Sequence, residues 1–384
     1  MPLAVYVIGL SVFALGTSEF MLSGLLPALA GDLGVSIPDA GLLISAFAVG
    51  MVVGAPVLAM ATVRLPPRTT MIGLIVVFGL GQVLGALSPG YGVLFASRVV
   101  SALACAGFWA VGAATAVRLA PQGAQARALA VVVGGLTIAN IVGVPAGTVI
   151  GQLAGWRAAF WAVAALSAVA AVGLVALVPA SPREAEPPRL AEELHIYGKP
   201  RVWLALGTIA LTQAAIFCTF SYLAPLLTES AGLPAAWVPG VLALFGIGAL
   251  VGISLGGRSA DARPRPTLLI GIAATLLVTA LLALAAHSPL LVVPLIALFG
   301  VAGFGVNPAL NARVFAASGG ANSMTGAAST AAFNVGNTAG PWLGGLAIGG
   351  GLGYPSVAWV SALLGLLALG SVAVTSKRSV ILAS

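Results

Sequence analysis

Charge is what this sequence has least of. Only 7% of its 384 residues are Asp, Glu, Lys or Arg, where an ordinary soluble protein has about 25%. So few charges cannot cover a water-facing surface of this size. Histidine is almost missing too: His195 and His287 both lie away from the middle of any apolar run, which leaves no metal-ligand spacing and no hydrolytic triad. The two cysteines, Cys105 and Cys218, sit inside apolar runs and say nothing about redox compartment. No metal, no cofactor and no enzymatic activity are expected.

What the chain has instead is apolar length. Hydrophobic residues make up 60% of it, and mean hydropathy is +1.12. A helix needs about 20 residues to cross a hydrocarbon core of roughly 30 Å. The long apolar runs show no dyad alternation, which excludes a membrane barrel and leaves helices. Interruptions by Pro, charge and polar clusters predict spans near 4–30, 39–61, 69–88, 91–118, 126–153 and 157–179, then 201–229, 236–257, 267–286, 289–314, 323–349 and 355–375. The first span lacks a basic n-region and is too long for a signal peptide, so it is expected to stay in the mature protein.

The net charge of +7 would suggest nucleic acid in a soluble domain, but the positions of the bases exclude that partner. With the N-terminus inside, fourteen of the sixteen bases fall in cytoplasmic segments, and only Arg98 and Arg157 lie toward the outside. The positive-inside rule then puts both termini in the cytoplasm of a multi-pass protein of the cytoplasmic (inner) membrane.

The polar stretch 181–200 carries four of the nine acids and reads as a cytoplasmic linker between halves 1–180 and 201–384. An offset of 198 superposes Pro27 on Pro225, Gly34 on Gly232, Phe47 on Phe245, Gly54 on Gly252, and Gly155-Trp156 on Gly353-Tyr354. At 197, Asn140 meets Asn337, Gly143 meets Gly340 and Gly147 meets Gly344. A duplicated six-helix unit follows. The expected fold is an all-α polytopic membrane protein whose two halves flank a central cavity, the architecture of rocking secondary transporters.

Asp32, Asp39 and Glu229 sit in or beside outside loops, Asp261 in an inside loop and four acids in the linker, so only Glu19 is left inside a span. A carboxylate there costs a few kcal/mol on insertion scales and commonly serves a proton pathway. Gly16, Glu19 and Ser23 share a face, which suits a cavity lining. Similar stripes run through Arg98, Ser101, Cys105 and Gly112, with Trp109 beside them; through Gln213, Phe217 and Phe220; and through Gly300, Gly303, Asn307 and Asn311. Each is a candidate substrate wall, and interhelical packing is the alternative for any one of them. Arg98 can act in coupling or snorkel to the surface, and Trp156-Arg157 reads as an interface anchor. Asn140, Gly143, Pro145, Gly147 and Gly151 form a small-residue face able to seal against a neighbour. Asn334, Asn337, Gly340, Pro341 and Gly344 repeat it.

Together these features resemble the major facilitator superfamily, in its twelve-span drug:proton antiporter branch. The segment GGRSADARP, with Gly257, Arg258, Asp261 and Arg263, is similar to the cytoplasmic charge motif expected after the second span of each half. The first-half copy keeps Gly54, Arg64 and Arg68 but has Val63 in place of the acid. SRVVSALACAGF resembles the branch's Arg-containing motif, implying proton coupling at Arg98, and GVPAGTVIG resembles the antiporter motif, implying outward transport. FALGTSEFMLSGLLPALAGDLGVS looks closest to actinobacterial chloramphenicol-resistance exporters.

The resemblance implies a monomeric exporter of small amphipathic drugs, chloramphenicol-like, with the lipid bilayer and protons as its other partners. A sugar, nucleoside or other metabolite exporter is the alternative within transporters, and a non-transporting receptor or scaffold the alternative outside them.

Overall fold

The computed structural model describes residues 1–62, 65–180, 198–319 and 323–381. Val63, Arg64 and most of the acidic segment, with Arg183, Arg189 and His195, lie outside the described residues. Every regular element among those described is helical. They form two compact units, Met1–Pro187 and Pro188–Ser384.

In the first unit α1 (Leu3–Phe20) breaks at Met21 and resumes as α2 (Leu22–Leu33). There follow α3 (Ile37–Thr62), α4 (Pro67–Ala86) and α5 (Tyr91–Leu119). Next come α6 (Gln125–Ile138), a π-turn over Ala139–Gly143, α7 (Val144–Ala154) and α8 (Trp156–Leu177).

The second unit holds α9 (Pro200–Ser221), with turns over Leu223–Pro225 and Leu226–Ser230, then α10 (Val238–Ala262) and α11 (Pro264–Leu284). It continues through α12 (Pro289–Gly305), α13 (Asn307–Ser318), α14 (Ser323–Ala347) with a π-turn over Ile348–Leu352, and α15 (Ser356–Ile381). Proline opens the first turn of α9 to α13, where its missing N–H would have no helical partner anyway.

The duplication is visible in backbone and packing alike. Gly34 and Gly232 both adopt left-handed backbone, at φ 63° and 69°, and Gly155 and Gly353 have φ 83° and 74°. These pairs stand at the sequence offset, so the same punctuation closes the same helices twice. Helix pairing repeats as well: α1–α6, α3–α5 and α4–α8 in the first unit answer to α9–α14, α10–α12 and α11–α15 in the second.

Among the described residues, eleven helical segments are long and apolar enough to cross a membrane. The segment expected at 323–349 is present as α14, 25 residues long, but its Gly, Ser, Thr and Asn content keeps it out of that group. Its place is set by backbone contact with α9. A Cβ on Gly340 would meet the Ala214 carbonyl at 2.6 Å and the Cys218 nitrogen at 2.7 Å. Small residues let such helices approach closely where lipid supplies no hydrophobic drive. Outward faces carry large exposed apolar side chains, such as Val172, Ile270 and Leu290, which suit acyl chains as solvent.

Gly340→Ala is therefore expected to destabilise the protein by about 1–3 kcal/mol, the usual cost of overpacking. Gly326→Ala on the same helix, where an added Cβ meets nothing within 4 Å, is expected to be neutral or slightly stabilising. Thermal melting of the two variants in detergent checks this.

Candidate functional site

The site begins where α1 ends. The last carbonyls of a helix lack partners within it and form the negative end of its dipole. Arg98 comes to that end from α5, fully buried. Its Nη1 donates to Ser18 Oγ at 2.8 Å and its Nη2 to the Ser18 carbonyl at 3.0 Å. The guanidinium lies 4.3 Å from the centroid of the Phe47 ring on α3. Snorkelling is thus not its role.

Ser18 passes the interaction on. Its hydroxyl donates to Gln82 Oε1 at 3.0 Å, and Gln82 Nε2 donates to Ser101 Oγ at 2.9 Å. Ser18 and Gln82 are both fully buried. A directed chain therefore runs from the arginine through α1 and α4 back to α5, one turn beyond its start. Gln82 was missed because a neutral amide in an apolar run carries no charge penalty to mark it. The available signal was the small-residue setting at Gly79, Gly81 and Gly85, since a Cβ on Gly81 or Gly85 would collide with Ser101 or Phe160.

Glu19, the neighbour of Ser18, stands half-buried on the final turn of α1. Among the described residues it forms no ion pair with Arg98, which spends both terminal nitrogens on Ser18. The carboxylate is left available for a proton beside a fixed cation.

Other expected residues divide between this neighbourhood and packing roles. Ser23, Ser101 and Cys105 are buried, and Trp109 is half-buried. Gly16 is not a cavity residue: its Cβ would meet the Leu136 side chain and Ala139, which makes it a contact point for α6. The stripe Gly143, Gly147 and Gly151 faces Thr17, Met21 and Leu25, so this small face clasps both sides of the α1 break. Asn140 bonds to the Leu136 carbonyl at 3.2 Å, and Pro145 is buried beside it.

In the second unit Gln213, Phe217, Phe220, Asn334 and Asn337 are buried, while Asn307 and Asn311 are half-buried. Gly300 packs against the α10 backbone at Phe245 and Ala249, a contact position again. Phe245, the counterpart of Phe47, meets Phe220 in a stack at 4.7 Å and Phe299 at 5.5 Å. Where the first unit sets a cation on this phenyl ring, the second sets more aromatics.

The charge motif lies on helix. Gly257, Arg258 and Asp261 occupy the last turns of α10, and Arg263 caps it, where a loop was expected. Arg258, Asp261 and Arg263 are exposed, and no ion pair joins them among the described residues. Gly54 packs on α5 with its Cβ position 3.0 Å from Leu103 Cα, and Arg68 donates to the Val175 carbonyl. Arg64 is outside the described residues.

Trp156 and Arg157 do more than anchor. Asp32 Oδ2 accepts from Trp156 Nε1 at 2.9 Å and Arg157 Nη1 at 2.5 Å, and Arg157 Nη2 donates to the Ser88 carbonyl at 3.2 Å. The guanidinium also lies 4.2 Å from the Trp156 ring. This clasp fastens the end of α2 to the start of α8. The Arg157 hydrogen bond, helped by the one from Trp156, holds the Asp32 carboxyl below the usual carboxylate range. A group depressed on folding stabilises above its unfolded pKa, and that contribution fades as pH falls through the folded value. Asp32→Asn should therefore melt below wild type at neutral pH, and the gap should narrow as pH falls through the depressed folded pKa of Asp32, below the usual carboxylate range.

Comparison with known proteins follows the same lines. Residues 8–333 match the Major Facilitator Superfamily model. A chloramphenicol resistance protein of Streptomyces lividans is 42% identical over 96% of this chain and 95% of its own length. The inner membrane transport protein YdhP of Escherichia coli K12 is 35% identical over 98% of this chain and 96% of its own. A bacterial homologue of the human lysosomal transporter Spinster, solved in an inward-facing, unoccupied conformation, has the same fold. Its TM-score is 0.79 at 15% identity, covering 97% of this chain and 96% of that one. With the duplicated helical units and the motif-bearing helices, these matches show that the chain is a multi-pass membrane transporter belonging to the major facilitator superfamily.

Proposed function

We propose that the chain is a proton-coupled antiporter that exports small, uncharged amphipathic compounds, chloramphenicol-like, across the cytoplasmic membrane. It works as a monomer with both termini in the cytoplasm, the orientation that the distribution of Lys and Arg favours. The observation that carries the reading is the placement of Glu19. It is the one acid away from the ends of the spans read from the sequence, and it adjoins Ser18, the residue that Arg98 grips. The name of the Streptomyces relative supports the substrate class.

In this reading Glu19 takes up a proton when the carrier faces outward. It releases the proton inward as the outgoing compound is admitted. The α1 break gives this exchange a mechanical setting, because the carboxylate sits at the end of a helix whose continuation is a separate segment. For an uncharged compound every exchanged proton carries net charge inward. Export then draws on membrane potential as well as on the pH gradient, at about 2.3 kcal/mol per charge per 100 mV.

The test is a susceptibility panel in a host producing wild type or Glu19→Gln at matched expression. Wild type is expected to lower chloramphenicol susceptibility and to lose that effect with a protonophore, whereas Glu19→Gln is expected to be inactive at every pH. Full activity of the variant across pH would remove Glu19 from the proton route. Protonophore-sensitive transport without a chloramphenicol phenotype would move the substrate to sugars, nucleosides or another metabolite.

A further inference from the structure

Among the described residues, the second unit contains buried hydrogen-bond acceptors that no other group fills. Gln213 on α9 and Asn334 and Asn337 on α14 are only 4%, 5% and 7% exposed. Gln213 Oε1, Asn334 Oδ1 and Asn337 Oδ1 have no hydrogen-bond partner among the described residues. At Asn334 the free atom is identified by chemistry: its amide nitrogen donates to the Thr330 carbonyl at 3.0 Å, a bond the oxygen cannot make. The oxygen is what remains.

Two packed helices carry the acceptors. α14 lies against α9 through Gly336, Gly340 and Gly344. A Cβ on Gly336 would meet Gln213 Cβ at 2.5 Å, which sets Gln213 beside the residue preceding Asn337. One and two turns along α9 come Phe217 and Phe220, both 3% exposed, with their rings edge to face at 5.5 Å. Neither α14 nor α9 beyond Arg201 contains a charged residue. Unpaired buried acceptors bear their full desolvation cost, and apolar side chains of the same shape would avoid it. Their presence calls for a partner from outside the protein.

We propose that this acceptor group and the adjoining phenyl face form the substrate-recognition surface of the second unit, which takes an uncharged aryl compound presenting at least two O–H or N–H donors. Carboxylates and other donor-poor anions are rejected, since the negative ends of amide dipoles would face them. The proposal rests on the exporter reading above and adds the hydrogen-bonding polarity of its substrate.

Thiamphenicol and florfenicol make a suitable pair of probes, differing only by replacement of one hydroxyl with fluorine. Calorimetry on the purified full chain in nanodiscs is expected to show thiamphenicol binding about tenfold tighter, the equivalent of one hydrogen bond to a buried acceptor. Asn337→Leu and Gln213→Met should bring that preference toward unity. Both should also raise the melting temperature of the ligand-free protein, because each removes an unpaired acceptor at nearly constant volume. An acceptor serving only structure would give the opposite shift. An unchanged preference in the variants, or lower melting temperatures, would overturn the proposal. If neither phenicol binds, the phenicol reading alone fails. The acceptor group is then tested with neutral aryl diols against their methyl ethers, and equal binding of the two would overturn it.

Discussion

The first unit is organised around one buried cation. Arg98 has no carboxylate partner within salt-bridge range among the described residues. It is held by the hydroxyl and carbonyl of Ser18 at the negative end of α1 and by the face of Phe47. Removing such a charge from water is costly, and here neutral dipoles and a quadrupole supply the compensation. That arrangement explains several features together. The carbonyl taken by Arg98 lies in the last turn of α1, so the anchor and the interruption at Met21 stand side by side. Gln82 is needed to orient the Ser18 hydroxyl toward accepting from the arginine. Glu19 forms no ion pair among the described residues, and the nearby cation is engaged one residue away.

The second unit lacks this cation, and the difference is local. Ile296 stands at the position corresponding to Arg98, Ile216 at that of Ser18 and Phe217 at that of Glu19. The scaffold stays the same, down to left-handed glycines at matching places and the same helix pairings. At these positions one copy has the titratable and charged groups. The other has aromatic rings and neutral amides, whose free oxygens suit recognition better than proton transfer. On the proposed reading, coupling in one copy and recognition in the other is a division of labour that a duplicated unit can acquire by side-chain replacement alone.

Much of this was legible in the sequence, for physical reasons that can be named. Lipid as solvent fixes helix lengths, so the spans followed from apolar runs, and the glycine offset gave the duplication. The small faces at Gly143 to Gly151 and Gly340 to Gly344 were also readable, because close helix approach in a membrane admits few other residues. The α1 break was not readable, and the arginine that binds beside it, Arg98, is 80 residues away. Gln82 carries no charge to flag it. Gly16 and Gly300 shared a periodicity with polar residues, yet periodicity alone does not tell a cavity wall from a packing face. The charge motif looked like a loop from its polarity, but α10 continues through it to Ala262.

The central claim is that a proton bound at Glu19 moves against an uncharged compound. Solid-supported membrane electrometry on proteoliposomes measures this directly, by recording current when a chloramphenicol gradient is applied at equal pH on both sides. The account predicts a transient current whose sign corresponds to positive charge moving opposite to the drug, with none from Glu19→Gln. Electrically silent drug movement by wild type, or a full-sized current from the variant, would contradict it.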